Sequence, residues 1–320
     1  MKKNFLRAIM LALVLVVASA TAFANGASED ADVYPSKEVS VIVIAKAGGG
    51  TDAMARAVST PLETILGKPF VITNNGSAGG LIAMEDIYAA DPDGYTLGVF
   101  SNTDVANFAY TQKDCLFTVD DFTYLAGLNQ TADIVVLKKG SPFNNLDEFI
   151  AYAKDNPEKL TVGLPSPIQE MSLSLFENGT DIDVTGVVYG GGNKVFADLL
   201  GGHVDAGILS AKFIKQAADN GLVVFGLMLP ERLPSFPDTP TFVEQGYDVV
   251  NPAVRMLVAP KGLSEDIIET LEAALEEGFK GPMADNITAI NEVPVLLIGD
   301  ELDKFLADDF AMRKNYYESR

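Results

Sequence analysis

One cysteine, one histidine and no tryptophan stand in a chain of 320 residues. The single thiol, Cys115, closes no intrachain disulfide and makes at most one pair with His203. Multi-cysteine zinc sites and most redox chemistry are thereby excluded. Basic side chains are also scarce: 23 Lys and Arg face 44 Asp and Glu, a formal charge of −21. Such a field repels a phosphate backbone, which sets nucleic acid aside as a partner. Repeats and low-complexity tracts are missing, and beyond the amino terminus no apolar run reaches the roughly 20 residues that a membrane span needs. What the chain does have is 48% hydrophobic residues, 28 Gly and 16 Pro. That is too apolar for disorder and too often broken by glycine for a long coiled coil, and at about 150 residues per domain it suggests two domains.

Lys2, Lys3 and Arg7 precede an apolar run from Ala8 to Ala18, and Ala22-Phe23-Ala24 has the small-x-small form of a cleavage site. Residues 1–24 are therefore expected to be a cleaved export signal and not a membrane anchor. Removing them takes away three basic and no acidic side chains, which moves the formal charge from −21 to −24. No cysteine follows to carry a lipid, so the expected product is soluble and periplasmic or otherwise extracytoplasmic.

The rest of the chain alternates β-branched runs with helical spacing, the pattern of α/β folds with a mostly parallel sheet. Strands are predicted at Val39–Ala45, Pro69–Thr73 and Tyr95–Phe100, with helices at Asp52–Leu66 and Gly80–Ala90 between them. A second α/β unit is predicted from helix Leu146–Lys154, strand Leu160–Leu164, helix Glu170–Glu177, strand Thr185–Tyr189, helix Asn193–Leu200, strand Val204–Leu209, helix Ala211–Asn220 and strand Leu222–Leu229. The tail adds strand Arg255–Ala259, a helix from Ser264 towards Lys280, the apolar run Val293–Ile298 and a helix over Asp300–Tyr317. Two βα units and one strand are too few to close a core, so the first domain needs the tail. The expected lobes are residues 31–124 with 230–320, and an inserted lobe of 125–229.

Two glycine-rich loops follow the first two strands: Gly48-Gly49-Gly50-Thr51-Asp52 and Gly76-Ser77-Ala78-Gly79-Gly80. Both open helices, where free N–H groups and the positive dipole end favour a carboxylate or phosphate, and in a parallel sheet both emerge at one edge. The first lacks the Lys of a Walker loop and the last Gly of a dinucleotide fingerprint, so nucleotide binding is weakly supported. The competing reading is that these glycines only make tight turns.

Around these loops the sequence resembles the Bug receptors, the extracytoplasmic solute-binding proteins of tripartite tricarboxylate transporters. The segments are Tyr34-Pro35-Ser36-Lys37, Gly48–Asp52 followed by Ala55-Arg56, Leu66-Gly67-Lys68-Pro69, Gly76–Gly80 and Pro92-Asp93-Gly94-Tyr95-Thr96-Leu97. Asp198-Leu199-Leu200-Gly201-Gly202-His203-Val204-Asp205, Pro237-Asp238-Thr239-Pro240-Thr241 and Ala259-Pro260-Lys261-Gly262 continue it in family order. The resemblance implies a two-lobed periplasmic-binding-protein fold, a type II-like Venus flytrap, with the two loops gripping a ligand carboxylate in the interdomain cleft. It also implies delivery to membrane transporter subunits. Two departures bear on the ligand's far end: Leu164-Pro165-Ser166-Pro167-Ile168-Gln169 replaces a Gly/Ser-rich loop, and Asn251–Met256 lacks the usual Trp.

Several side chains have two readings each. Asp52 is either a cation or amine ligand or, in the first turn of a helix, a cap or dipole partner. Arg255 either pairs with a second ligand carboxylate or lies on the surface. Ser101, Ser166, Gly191, Asn193 and Ser210 end strands or open helices and can contact a ligand, cap helices, or both. His203 reads as a surface turn residue and Cys115 as a quiet thiol. No nucleophile with a base, no metal cluster and no cofactor motif emerges. The reading is a monomeric receptor that binds a small organic carboxylate. A receptor signalling to a membrane sensor and an exported α/β enzyme acting on a carboxylate are the alternatives.

Overall fold

The computed structural model describes residues 34–318, so the expected export signal lies outside the described residues. The chain opens with β1 (Val39–Val43), α1 (Gly50–Leu66), β2 (Phe70–Asn74), a 3-10 turn at Ser77–Gly80, α2 (Leu81–Tyr88), β3 (Thr96–Ser101) and α3 (Asn102–Thr111). A long strand, β4 (Phe122–Leu137), leads to α4 (Leu146–Asp155), β5 (Thr161–Leu164), α5 (Gln169–Thr180), β6 (Thr185–Val188), α6 (Gly192–Gly201), β7 (Ala206–Ser210), α7 (Ile214–Asp219) and β8 (Val224–Leu227). The return strand β9 (Pro252–Pro260) precedes α8 (Glu265–Phe279), α9 (Pro282–Ala289), β10 (Val293–Leu297) and α10 (Gly299–Glu318).

The strands lie in the order β2-β1-β3-β9-β4-β7-β5-β6, with β8 and β10 also on β4. β4 belongs to both lobes. Its residues Phe122–Ala132 pair with β9, and Asp133–Leu137 pair with β7. Two register shifts, at Tyr124/Ala126 and Gly127/Asn129, bend it as bulges do. Gly127 has no room for a side chain, since a Cβ there would lie 2.9 Å from Val254 Cγ1 and 3.2 Å from Leu297 Cβ. The expected lobes changed over at 124/125 and 229/230. In the structure β4 stays in the first sheet through Ala132, and Leu233, Phe242 and Val249 pack on the inserted lobe's cores.

Each lobe buries both faces of its sheet. On one side of the first lobe, Met54, Val58 and Leu62 of α1 meet Leu271 and Leu275 of α8 and Met283 and Ile287 of α9. On the other, Met84, Ile87, Phe100 and Val105 meet Leu306 and Phe310 of α10. The inserted lobe packs Phe149, Phe176, Phe225 and Phe242 on one face and Val195, Leu199 and Phe213 on the other. Three predicted details change. Helices α3 and α9 and strand β4 were not predicted, Ala211–Asn220 is a 3-10 turn followed by α7, and Leu222–Leu229 shortens to β8.

A buried polar network joins the lobes. Arg313 of α10, 2% exposed, donates from Nε to Asp309 Oδ2 at 2.7 Å and from Nη2 to Asp309 Oδ1 at 2.9 Å. Nη2 also reaches Asn251 Oδ1 at 3.0 Å and the Pro252 carbonyl at 3.1 Å, while Nη1 points to Met171 Sδ of α5. Asn102 donates to Asp309 and to the Pro252 carbonyl, and accepts from the Val254 N–H. From Asn251 the chain of bonds runs to Ser172 Oγ at 2.8 Å, and the Ser172 hydroxyl donates to Asp133 at 2.6 Å. Desolvation pushes the Asp133 carboxyl up to about 6, against the pull of Ser172 and Arg313.

Removing one partner of a buried ion pair leaves the other charged and unpaired, at a cost of about 3–5 kcal/mol. Arg313→Met is therefore expected to lower urea-unfolding stability by about that much, and Arg313→Met with Asp309→Leu to recover most of it. A single-variant loss below about 1 kcal/mol would show that the pair does not hold the junction.

Candidate ligand-binding site

β1, β2 and β3 are parallel and end at Val43, Asn74 and Ser101, while β5, β6 and β7 are parallel and end at Leu164, Val188 and Ser210. Ser101 pairs with Arg255, Arg255 with Asn129, and Ser210 with Asp133 on the same strand as Asn129. The carboxyl ends of both parallel sets therefore face each other across the junction, where open α/β sheets place their ligand crevices. One flank of this cleft is a cavity of about 570 Å³ whose walls include Gly79 and Phe108 of the first lobe and Ser166, Pro167 and Met171 of the other. A second cavity of about 570 Å³ joins Asn193 and Lys212 to Ile290 and Asn291.

In the first loop the donors are not all open. Gly48 N–H donates to Asp52 Oδ2 at 2.8 Å and Gly49 N–H to the Lys46 carbonyl at 3.2 Å. Gly49 caps α1, so the N–H groups of Gly50, Thr51 and Asp52 have no acceptor within the helix. Asp52 is 3% exposed but lies just under the surface, covered by the half-exposed Arg56. Its carboxylate takes Arg56 Nη2 at 3.0 Å, Arg56 Nε at 3.1 Å and Asn74 Nδ2 at 3.0 Å. Desolvation is the strongest single influence on this carboxyl and pushes upward. Together, Arg56, the Gly48 N–H and Asn74 outweigh it and hold the group below the ordinary carboxylate range. In the structure Asp52 ties the loop to the first turn of α1 through the Gly48 N–H and makes no side-chain bond to the capping residue Gly49.

The second loop packs on the first. A Cβ on Gly76 would stand 3.2 Å from both Lys46 Cγ and Lys46 N. Ser77 N–H closes on Asn75 Oδ1 at 3.1 Å. Ala78 (φ 50°), Gly79 (φ 73°) and Gly80 (φ 108°) then turn in the left-handed region. Gly80 is required on two counts, since a Cβ there would also sit 2.7 Å from the Ile44 carbonyl oxygen. Ser77, Ala78 and Gly79 are exposed.

Ser101 is committed to capping α3: its Oγ donates to Asp104 Oδ2 at 2.6 Å and accepts from Asp104 N–H at 3.1 Å. Ser166 Oγ donates to Gln169 Oε1 at 2.8 Å. Gly191 (φ 137°) caps α6, whose second residue Asn193 is exposed, and Ser210 Oγ lies 3.5 Å from Thr131 Oγ1. Thus Ser166 faces one flank of the cleft with Gly79, and Asn193 faces the other. Arg255 is not a surface residue. Its side chain is 21% exposed, and Nη1 lies 3.0 Å from Glu292 Oε1. Asn74, Asn129 and Glu292 were missed, and only Asn74, just ahead of the second loop, had a local signal. His203 is exposed, and Cys115 donates to the Phe117 carbonyl with burial, then Glu85, raising its thiol.

A family model described as the tripartite tricarboxylate transporter family receptor matches residues 54–319. The chain belongs to that receptor family. It is 28% identical over 287 residues to BugT of Bordetella pertussis, covering 87% of this chain and 88% of that protein. A TctC solute-binding protein from Polaromonas, solved with no ligand, superposes with a TM-score of 0.81 at 25% identity, over 90% of this chain and 100% of the other. A protein of R. palustris solved with adipate gives a TM-score of 0.72 at 22% identity, over 88% and 96% of the two chains. The chain is a Bug-type receptor with a two-lobed binding-protein fold.

Because the Asp52 carboxyl is held low when folded, its stabilising effect is full above the unfolded pKa of about 4 and fades as pH falls through and below it. Asp52→Asn is expected to be about 1–3 kcal/mol less stable at pH 7, with the gap to wild type narrowing as pH falls below about 4. A gap independent of pH in urea titrations would contradict this.

Proposed function

We propose that this chain is an exported, monomeric receptor that captures a small organic carboxylate between its lobes and hands it to membrane transporter subunits of the tripartite tricarboxylate type. The observation that carries the reading is the pair of glycine-rich helix starts, packed against each other on the first lobe's rim, with exposed residues in both loops and Gly79 lining one cavity with Ser166 of the inserted lobe. In this reading the carboxylate accepts from the N–H groups of Gly50 and Thr51 and lies against Ser77–Gly80. Gly48 and Gly49 shape the loop, because their own N–H groups are already bonded. Ser166, Gly191, Asn193 and Ser210 close over the ligand from the inserted lobe. A dicarboxylate is a suitable size class, as adipate is for the related fold. In this reading the receptor binds and releases without chemistry, and the charged side chains beside the first loop serve as ion-pair partners, Asp52 with Arg56 and Arg255 with Glu292.

Gly50 is the cleaner steric probe. Gly79 has φ 73°, where any side chain is strained, whereas a Cβ on Gly50 meets only the guanidinium of Arg255, with Nη2 at 3.3 Å. In calorimetry with a panel of short mono- and dicarboxylates including adipate, Gly50→Val is expected to abolish measurable binding with little change in melting temperature. Thr51→Ala should lose about the 0.5–1.5 kcal/mol of one hydrogen bond. Equal, small effects of the two would move the site elsewhere.

A further inference from the structure

Arg255 is held in place from several directions. Its backbone N–H donates to Asn129 Oδ1 at 3.0 Å, Asn129 Nδ2 donates to Glu292 Oε2 at 2.9 Å, and Glu292 Oε1 lies 3.0 Å from Arg255 Nη1. This ring fixes the guanidinium while leaving it incompletely matched: Nη1 is out of contact with solvent, and no acceptor among the described residues is aligned with it. Proximity to Glu292 supplies charge but not a directed bond. Toward the cleft, Nη2 comes within 3.3 Å of the place a Cβ would occupy on Gly50, the first residue of α1. A guanidinium thus abuts the positive end of a 17-residue helix. Two like-signed groups in contact are mutually unfavourable unless an anion lies between them. Glu292, which also accepts from Asn129, lies against Nη1, not Nη2, and offers one charge for two positive groups. The absence of a side chain on Gly50 leaves the path between helix and guanidinium open.

We infer that Arg255 and the N-terminus of α1 form one composite anion seat, so that the receptor selects a full negative charge and not merely a carbonyl oxygen. The inference rests on the receptor reading above and assigns Arg255 as its specificity-determining residue. Glu292 restrains Arg255 and competes with the ligand for it, while Asn129 sets the orientation.

The test uses acetate, the simplest carboxylate, titrated into the full chain while ¹⁵N resonances of Gly50, Thr51 and Arg255 Nε are followed. All three are expected to saturate together. Arg255→Gln should weaken the Gly50 and Thr51 response by about tenfold or more, and Arg255→Lys should restore part of it, the loss expected for a hydrogen bond to a charged group. Glu292→Gln keeps an acceptor for Asn129 but removes the competing charge, so it is expected to tighten acetate binding. It supplies an independent sign if Arg255→Gln disturbs folding. Unchanged affinity in Arg255→Gln, or weaker affinity in Glu292→Gln, overturns the composite seat while leaving the receptor reading intact. Shifts confined to Gly76–Gly80 also overturn it, and no shift at either loop removes the receptor reading together with the seat.

Discussion

Arg313 reaches from the last helix into the junction between the lobes, and the geometry of the cleft depends on what it holds there. Its fork is filled by Asp309, and its remaining donors tie Asn251, Pro252 and Met171, so α10, the return crossing and α5 meet at one side chain. Asn102 draws the start of α3 into the same network, and Ser172 carries it to Asp133 on β4. Such a cluster is costly to desolvate, and apolar residues would often fill the space at least as stably. What it supplies here is geometry: β4 and the 251–252 segment are the crossings it touches, and both sets of strand ends are positioned from them.

With the crossings fixed, the first lobe presents helix starts whose donors are already sorted. Asp52 takes the Gly48 N–H and is itself held by Arg56 and Asn74, so the first loop keeps its shape without a ligand. The open donors are those at the helix start. The same sorting reduces the basic character of the cleft, since Arg56 is paired with Asp52 and Arg255 lies against Glu292. A chain with a formal charge of −21 therefore meets an anion mainly with short-range groups, which act at contact distance where salt screening matters least.

The βα grammar was legible because β-branched runs such as Val39–Val43 and glycine stops such as Gly67 carry local signals. β4 was not. Its middle, Asn129-Gln130-Thr131-Ala132-Asp133, reads as a polar loop, yet Asn129 and Asp133 are polar because they bond to Glu292 and Ser172 on either side of the junction. Helix α3 was hidden for a related reason: Asn102 and Asp104 are bound to Asp309 and Ser101, so its first turn shows little apolar periodicity. At the candidate site the two glycine-rich loops were legible as turns that follow β1 and β2 and lead into helices. The partners that decide which donors remain free, Asn74, Asn129 and Glu292, lie on other strands or after another helix, and no local pattern links them to the loops.

Closure of the lobes about β4 and the return crossing is the central claim, and small-angle scattering on the full chain tests it most directly. At a carboxylate concentration where calorimetry shows saturation, the radius of gyration is expected to fall as the strand ends of the two lobes approach each other. An unchanged radius of gyration at saturation would contradict capture by closure and leave the ligand bound to an open cleft.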